Sequence, residues 1–386
     1  MKFLHTSDLH IGKKLDGVSR LGEQVEILNE IVDIAVKENV DVLLIAGDVY
    51  DTFIPSSDAE NLFFSFLDDL TSKKITVIAV SGNHDDDDRL LASKTLASKR
   101  GAFLCGKENN FSLGRYGKIN LTGVGNNFLM VEKDGEECFV ATVPYFGEAP
   151  KGYEFDKDLD YNGKVKKVLN EIFVNKKQSQ IGILVSHLFM IGGLTTDGER
   201  SVDLGGIKVV SPSAIPDECN YTALGHLHKR QISSKEKNVL YSGSPLQYSY
   251  DEVGYTKSVT VFDAVSGKIE NLKEVELKKG RKLVKLSCCG IELADVILSK
   301  YQDNFIDFTI FSNRPLSVEE TALLKEKYPL ITKLKLELSG NIDGQRVTGR
   351  KHLSDKELFV EFIKEKYGKE PDDEIVSVYL EILSEE

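Results

Sequence analysis

The sequence predicts a mixed α/β layer protein over residues 1 to about 277, followed by a smaller α/β unit and a helical end. Two observations carry that expectation. Short β-branched runs bounded by Gly, Ser and Asp alternate with stretches whose apolar residues recur at helical spacing. Five of the runs also stop on a residue able to bind a metal. In a sheet of such strands the crevice at the carboxyl ends is where ligands sit, so these residues are expected to converge on one edge.

The first run, Lys2-Phe-Leu-His-Thr-Ser, ends on Asp8, with His10 two residues on. Leu21, Val25, Leu28, Val32 and Ala35 then share one helical face. The strand from Val40 ends on Asp48, a helix covers Asp58 to Leu70, and the strand from Ile75 ends on Asn83, His84 and Asp85. Asp86 to Arg100 reads as one helix, its first-turn acids opposing the positive end of the dipole. Short strands with Gly-rich turns fill 101 to 150, and a helix lies near 160–175. The run from Ile181 ends on His187, and the run from Tyr221 ends on His226, with His228 after it. Between them, 191–210 holds five glycines and reads as a long loop near the site. Strands continue from about 237 to 277. His5, inside the first strand, reads as a hydrogen-bonded core residue, and His352 as solvated.

Lys278-Lys-Gly-Arg-Lys is a basic, turn-forming hinge. The unit after it, 278–340, reads strand 282–287, helix 291–300, strand 305–311, helix 317–327 and strand 331–337. The end, 350–386, is a helix-loop-helix whose two apolar stripes are too short to be buried alone. It packs on its own body or on a partner chain.

At 386 residues the chain is long enough for two or three domains. A net charge of −12 argues against a protein that coats DNA through Lys and Arg. It leaves room for a nuclease whose bound cations supply local positive charge. Five cysteines without a CxxC give neither a zinc motif nor a disulfide framework. The start enters a strand directly, and no apolar stretch nears the roughly 20 residues that cross a membrane. The expected location is the cytoplasm.

Carboxylate, imidazole and amide oxygen together suit manganese, iron or magnesium. Seven candidate ligands exceed what one ion takes from protein, and two ions sharing a carboxylate fit the number better. Phosphate ester hydrolysis is the reaction that most needs such a pair.

Asp8-Leu-His10, Gly47-Asp48, Gly82-Asn83-His84-Asp85, His187 and Gly225-His226-Leu-His228 resemble, in order and spacing, the calcineurin-like metallophosphoesterase superfamily. Within it, His5-Thr-Ser-Asp-Leu-His-Ile-Gly, Gly47-Asp-Val-Tyr-Asp-Thr-Phe-Ile-Pro-Ser, Leu224-Gly-His-Leu-His-Lys and Tyr241-Ser-Gly-Ser-Pro-Leu-Gln-Tyr-Ser are similar to the bacterial DNA-end nuclease subunits. The resemblance covers about 1–277 by motif and the rest by layout. It implies a four-layer αββα sandwich, a capping DNA-binding domain over 278–340 and a helical segment, 350–386, that docks a partner.

The resemblance also implies one metal on Asp8, His10, Asp48 and His228 and a second on Asp48, Asn83, His187 and His226. Manganese is expected, with magnesium as the alternative. His84 then faces the scissile phosphate, and Asp85 orients it or braces the loop. The implied activity is 3′→5′ exonuclease and endonuclease cutting of DNA ends and hairpins, with an SbcC-type SMC-like ATPase as partner. A homodimer packing through helices near Asp58–Leu70 is implied as well, and with the ATPase a heterotetramer. Where some relatives place a second histidine this chain has Asp51, carried over only as a residue outside the ligand set. Protein phosphatases of the superfamily carry an arginine after the Gly-Asp motif; Thr52 and Phe53 stand here, against a phosphatase. Lys13, Lys14, Arg20, Lys229 and Arg230 are candidates for DNA phosphate contact or are simply solvated. The rival readings are a small-molecule phosphodiesterase or phosphatase and a non-catalytic adaptor.

Overall fold

A computed structural model describes residues 1–147, 153–155, 158–196 and 208–338, with isolated positions 360, 364, 371 and 376. One compact unit comprises Met1–Phe311 and Leu316–Glu337; a second comprises Ser312–Pro315 and Leu338–Glu386. The terminal helices expected over 350–386, and His352, lie outside the described residues apart from those four positions. Much of the loop expected over 191–210 does too.

The first unit holds two large sheets. One runs Lys268–Glu276, Ser258–Val265, Lys2–Thr6, Val42–Ala46, Thr76–Val80, Ala102–Cys105, its last four strands parallel. The other has eight strands, with Glu136–Val143, Ile181–His187, Cys219–Gly225 and Val239–Tyr241 parallel in adjacent positions. Three cores separate four layers. Helices α1 (Leu21–Lys37) and α2 (Ser57–Ser72) cover the outer face of the first sheet through Leu28, Ile31, Phe63 and Leu67. Phe3, Leu44 and Ile78 meet Val140, Ile183 and Tyr221 between the sheets. Helix Tyr161–Phe173 covers the second sheet through Val165, Leu169 and Ile172. This is the expected αββα sandwich. Its central strands read as unbroken apolar runs because both faces are buried: in Val42–Ala46, Leu43 and Ile45 turn to the helices, Val42 and Leu44 to the other sheet.

The ligand-bearing strands divide between the two facing sheets, and their carboxyl ends converge on one edge as expected. One expectation needs correction. The helix expected over Asp86–Arg100 is two short ones, Asp87–Leu91 and Lys94–Arg100. The first helix closes at Ala92, whose N–H bonds Arg89 O at 3.2 Å, and the second opens from Ser93, so the chain breaks between them. Asp86 caps the first, accepting from Arg89 N at 2.8 Å.

Beyond Leu277 the chain builds a three-stranded sheet, Leu283–Cys289, Phe305–Ser312 and Ile331–Leu338, with helices Ala294–Leu298 and Val318–Lys327. Leu298, Phe308, Leu324 and Tyr328 fill its core. Phe305 and Leu283 pack with Leu15 and Tyr250 of the sandwich, and Tyr250 Oη lies 2.7 Å from Thr332 Oγ1. Among the described residues, no helix is long and apolar enough to cross a membrane.

Candidate metal centre

Each candidate ligand sits where a strand hands over to a tight turn. Asp8, His10, Asp48 and His226 all have positive φ (51°, 43°, 50° and 104°), a region non-glycine residues seldom enter and one that clusters at functional sites. The turns are held by backbone bonds from Asp8 N to Gly47 O and from His10 N to Asp48 O, both 3.0 Å. Gln24 of α1 adds Nε2 to His10 O at 2.7 Å, and Tyr248 donates its hydroxyl to Leu9 O. Two glycines let the groups close up. A Cβ at Gly47 would lie 2.4 Å from His187 Nδ1, and one at Gly82 2.1 Å from Asp48 Oδ1.

The sandwich brings all seven candidate ligands and His84 together. Asp48 Oδ2 lies 3.5 Å from both His10 Nε2 and His187 Nε2, midway between two groups of donors. On one side His10 Nε2 and His228 Nε2 are 3.0 Å apart, with Asp8 beside them. On the other, Asn83 Oδ1 is 2.9 Å from His187 Nε2 and 3.1 Å from His226 Nδ1. Asp8 Oδ1 also accepts from His226 N at 2.8 Å, tying the two sheets.

The donor set fits cations. His187 Nδ1 faces the carbonyl of Ala46 at 2.9 Å, so it carries the proton and Nε2 presents a lone pair to Asn83 Oδ1 and Asp48 Oδ2, themselves acceptors. His10 Nδ1 lies 3.5 Å from the Asp51 carboxylate and His228 Nδ1 3.4 Å from that of Glu252. With the protons on these Nδ1 atoms, the Nε2 lone pairs point at each other, an arrangement a cation between them would satisfy. Burial drives the His10 and His187 imidazoles well below their ordinary range, and that of His226 to about 4. All three are neutral near pH 7, the form that binds metal.

His84 offers something different. Its Nδ1 donates to the Asp51 carbonyl at 2.8 Å, which turns Nε2 inward, 4.0 Å from Asp48 Oδ2. Of the two roles open to Asp85, the contacts are those of a brace. Its carboxylate accepts from Val49 N, Tyr50 N and Gly82 N at 3.0, 2.8 and 2.9 Å, stapling the Asp48 turn to the Asn83 turn. Burial raises that carboxyl to about 6 against these three donors.

Asp51 stands closer than the sequence suggested. It bonds Lys13 Nζ at 2.8 Å and flanks both His10 and His84. Burial would raise its carboxyl, yet His10 and Lys13 hold it well below the usual range. Sequence reasoning missed Glu252, which is fully buried and bonded to Lys257. Its signal was legible as a capping box, Ser249-Tyr-Asp-Glu252. Among the basic candidates, Lys14 is exposed, Lys229 lies over the Tyr255 ring at 4.1 Å, and Arg230 pairs with Glu274 at 3.1 Å. Arg20 is not brought to the surface. It is 1% exposed, bonded to Glu23 and Gln247 O and stacked 4.7 Å from the Phe305 ring, which joins the sandwich to the small sheet instead of meeting phosphate. His5 is a core residue, bonded to Tyr221 Oη and Leu224 O.

A sequence model of calcineurin-like phosphoesterases matches residues 1–230. The SbcD component of the SbcCD nuclease of Bacillus subtilis (strain 168) is 33% identical over 399 residues, covering 100% of this chain and 98% of that protein. A dimetal phosphatase from Danio rerio superposes with a TM-score of 0.40 at 9% identity, over 72% of this chain and 99% of that one.

Proposed function

The chain belongs to the calcineurin-like phosphoesterase family, and from that premise we propose that it is a two-metal DNA nuclease subunit. The observation that carries the reading is the double donor set around Asp48. Asp8, His10, Asp48 and His228 would hold one divalent cation, and Asp48, Asn83, His187 and His226 the other, with manganese the favoured ion. Bound there, the cations supply Lewis acidity toward the phosphate and acidify water. His84, held by Asp51 O and turned inward, faces the scissile phosphodiester, where it stabilises charge or, as the imidazolium, gives its Nε2 proton to the leaving oxygen. Asp85 keeps the two ligand turns in register.

The likeness to an SbcD nuclease component along the whole chain supports nuclease chemistry, and the proposal extends it to DNA as substrate, with 3′→5′ exonuclease and endonuclease cutting of ends and hairpins. The same proposal takes an SbcC-type SMC-like ATPase as partner, a homodimer that becomes a heterotetramer with the ATPase, and a cytoplasmic setting. The small sheet, 278–340, would orient DNA, and 350–386 would dock the ATPase. Incubating the protein with linear duplex, hairpin and a chromogenic phosphodiester, with manganese and with or without the ATPase, tests the reading. Cleavage of DNA that the ATPase stimulates is expected. Hydrolysis of the chromogenic ester with intact DNA in every tube would overturn it in favour of a small-molecule phosphodiesterase.

A further inference from the structure

We propose that Glu252, paired with Lys257, is a positioning residue that sets the ring orientation and tautomer of His228 at the metal centre. The inference rests on the two-cation reading above and extends it to residues outside the ligand set. Glu252 is fully buried, and an isolated charge there would be costly. Every oxygen is employed. Oε1 accepts from Tyr248 N and Ser249 N, both 3.0 Å, and lies 3.4 Å from His228 Nδ1. Oε2 accepts from Lys257 Nζ.

Lys257 acts on the same histidine from a second direction. Its ammonium donates to His228 O at 2.9 Å and to Ser244 Oγ at 2.8 Å. The backbone donors Tyr248 N and Ser249 N and the Lys257 ammonium all point at the Glu252 carboxylate, the arrangement of an acceptor. An anionic acceptor at Nδ1 fixes the proton there and leaves the Nε2 lone pair facing His10. Such a carboxylate makes the imidazole more basic and restrains its rotation, and its loss typically costs 10–100-fold in metal affinity. The turn that carries Glu252 is itself pinned: Gln247 Nε2 donates to Glu252 O at 2.8 Å, and Gln247 Oε1 accepts from Leu283 N of the small sheet at 3.0 Å.

The test is manganese binding by equilibrium dialysis of the full chain, with the electronic spectrum of the cobalt-substituted protein as a second readout. The wild-type chain should bind two ions; failure to bind two would sink the two-cation reading and this inference with it. Glu252→Gln should weaken one ion by about 10–100-fold, leave the other unchanged and shift part of the cobalt spectrum. Because that variant leaves Lys257 buried without its carboxylate, E252Q/K257M provides a neutral pair that should fold and show the same selective loss. Ser249→Ala removes the cap of the same turn without touching His228, and should keep both ions at wild-type affinity. Two ions of unchanged affinity in E252Q or in the double variant, or an equal loss in S249A, would overturn the proposal while the wild-type stoichiometry leaves the two-cation reading standing.

Discussion

His10 and His228, 218 residues apart in the chain, turn their Nε2 atoms to face each other at 3.0 Å while a carboxylate flanks each Nδ1. With the protons held at the two Nδ1 atoms, the Nε2 lone pairs oppose each other, an electrostatic cost that a cation removes. Metal binding to the native state alone therefore stabilises the fold, by about 2.7 kcal/mol at 100 times Kd. Manganese should raise the melting temperature of chelator-stripped protein by several degrees in calorimetry, and EDTA should reverse the rise and stop cleavage. A melting temperature indifferent to both would remove the cations from the account.

His84→Gln is expected to separate binding from chemistry. The ring is held by Asp51 O and approaches Asp48 only to 4.0 Å, so losing it leaves the other donors in place. DNA cleavage should fall by roughly 10²–10⁴-fold, the range for a lost general acid, while manganese stoichiometry stays at the wild-type value. Loss of both ions along with activity would show that His84 serves as a ligand.

That Asp8, His10, Asp48, Asn83, His187, His226 and His228 meet was legible because each follows an apolar strand, and strand ends converge. Which sheet each strand joins was not legible. A run buried on both faces, such as Val42–Ala46, carries no period-two signal to say which side faces the other sheet. Glu252 escaped, and Asp51 was placed outside the ligand set without a role, for another reason. Their work is done on a histidine's far nitrogen, and nothing local in the sequence marks a contact such as Glu252 to His228. Arg20 misled because a charged residue after a ligand motif suggests solvent, whereas Glu23 and Phe305 neutralise and cover it.

Gly82→Ala tests the close approach directly. Backbone strain plays no part, since only the missing Cβ matters, and that atom would fall 2.1 Å from Asp48 Oδ1 and 2.3 Å from Asp48 N. Asp48 must move, and with it the oxygen equidistant from His10 and His187. The variant should lose affinity for both ions in a titration, because the shared carboxylate serves both. Selective loss of one ion would show that Asp48 is not shared.

A monomer–dimer test follows from α2. Phe63, Phe66, Leu67 and Leu70 are buried beneath the helix, but Phe64 is 39% exposed. Phe64 lines a largely apolar groove of about 280 Å³ with Leu67, Thr71, Leu96 and Ala97. If this face is the isologous contact, Phe64→Glu places like charges across the two-fold axis. Light scattering at micromolar concentration should give a dimer for the parent chain and a monomer for the variant. A parent chain that is already monomeric would refute the dimer.

Acid should destabilise the metal-free protein through His5, which the site does not use. Burial lowers its imidazole from 6.5 to about 3. Between those values the unfolded chain carries a proton on His5 that the folded chain refuses, so stability rises with pH across the window. The contribution is complete above about 6.5 and lost as pH falls toward 3, at about 1.4 kcal/mol per unit. Other groups titrate too, and the difference between the parent chain and His5→Gln cancels them. Urea unfolding at pH 7 and pH 5 should therefore show the parent losing about 2 kcal/mol more than the variant. Equal losses would mean that His5 is protonated in the fold, and that its bonds to Tyr221 and Leu224 hold the cation.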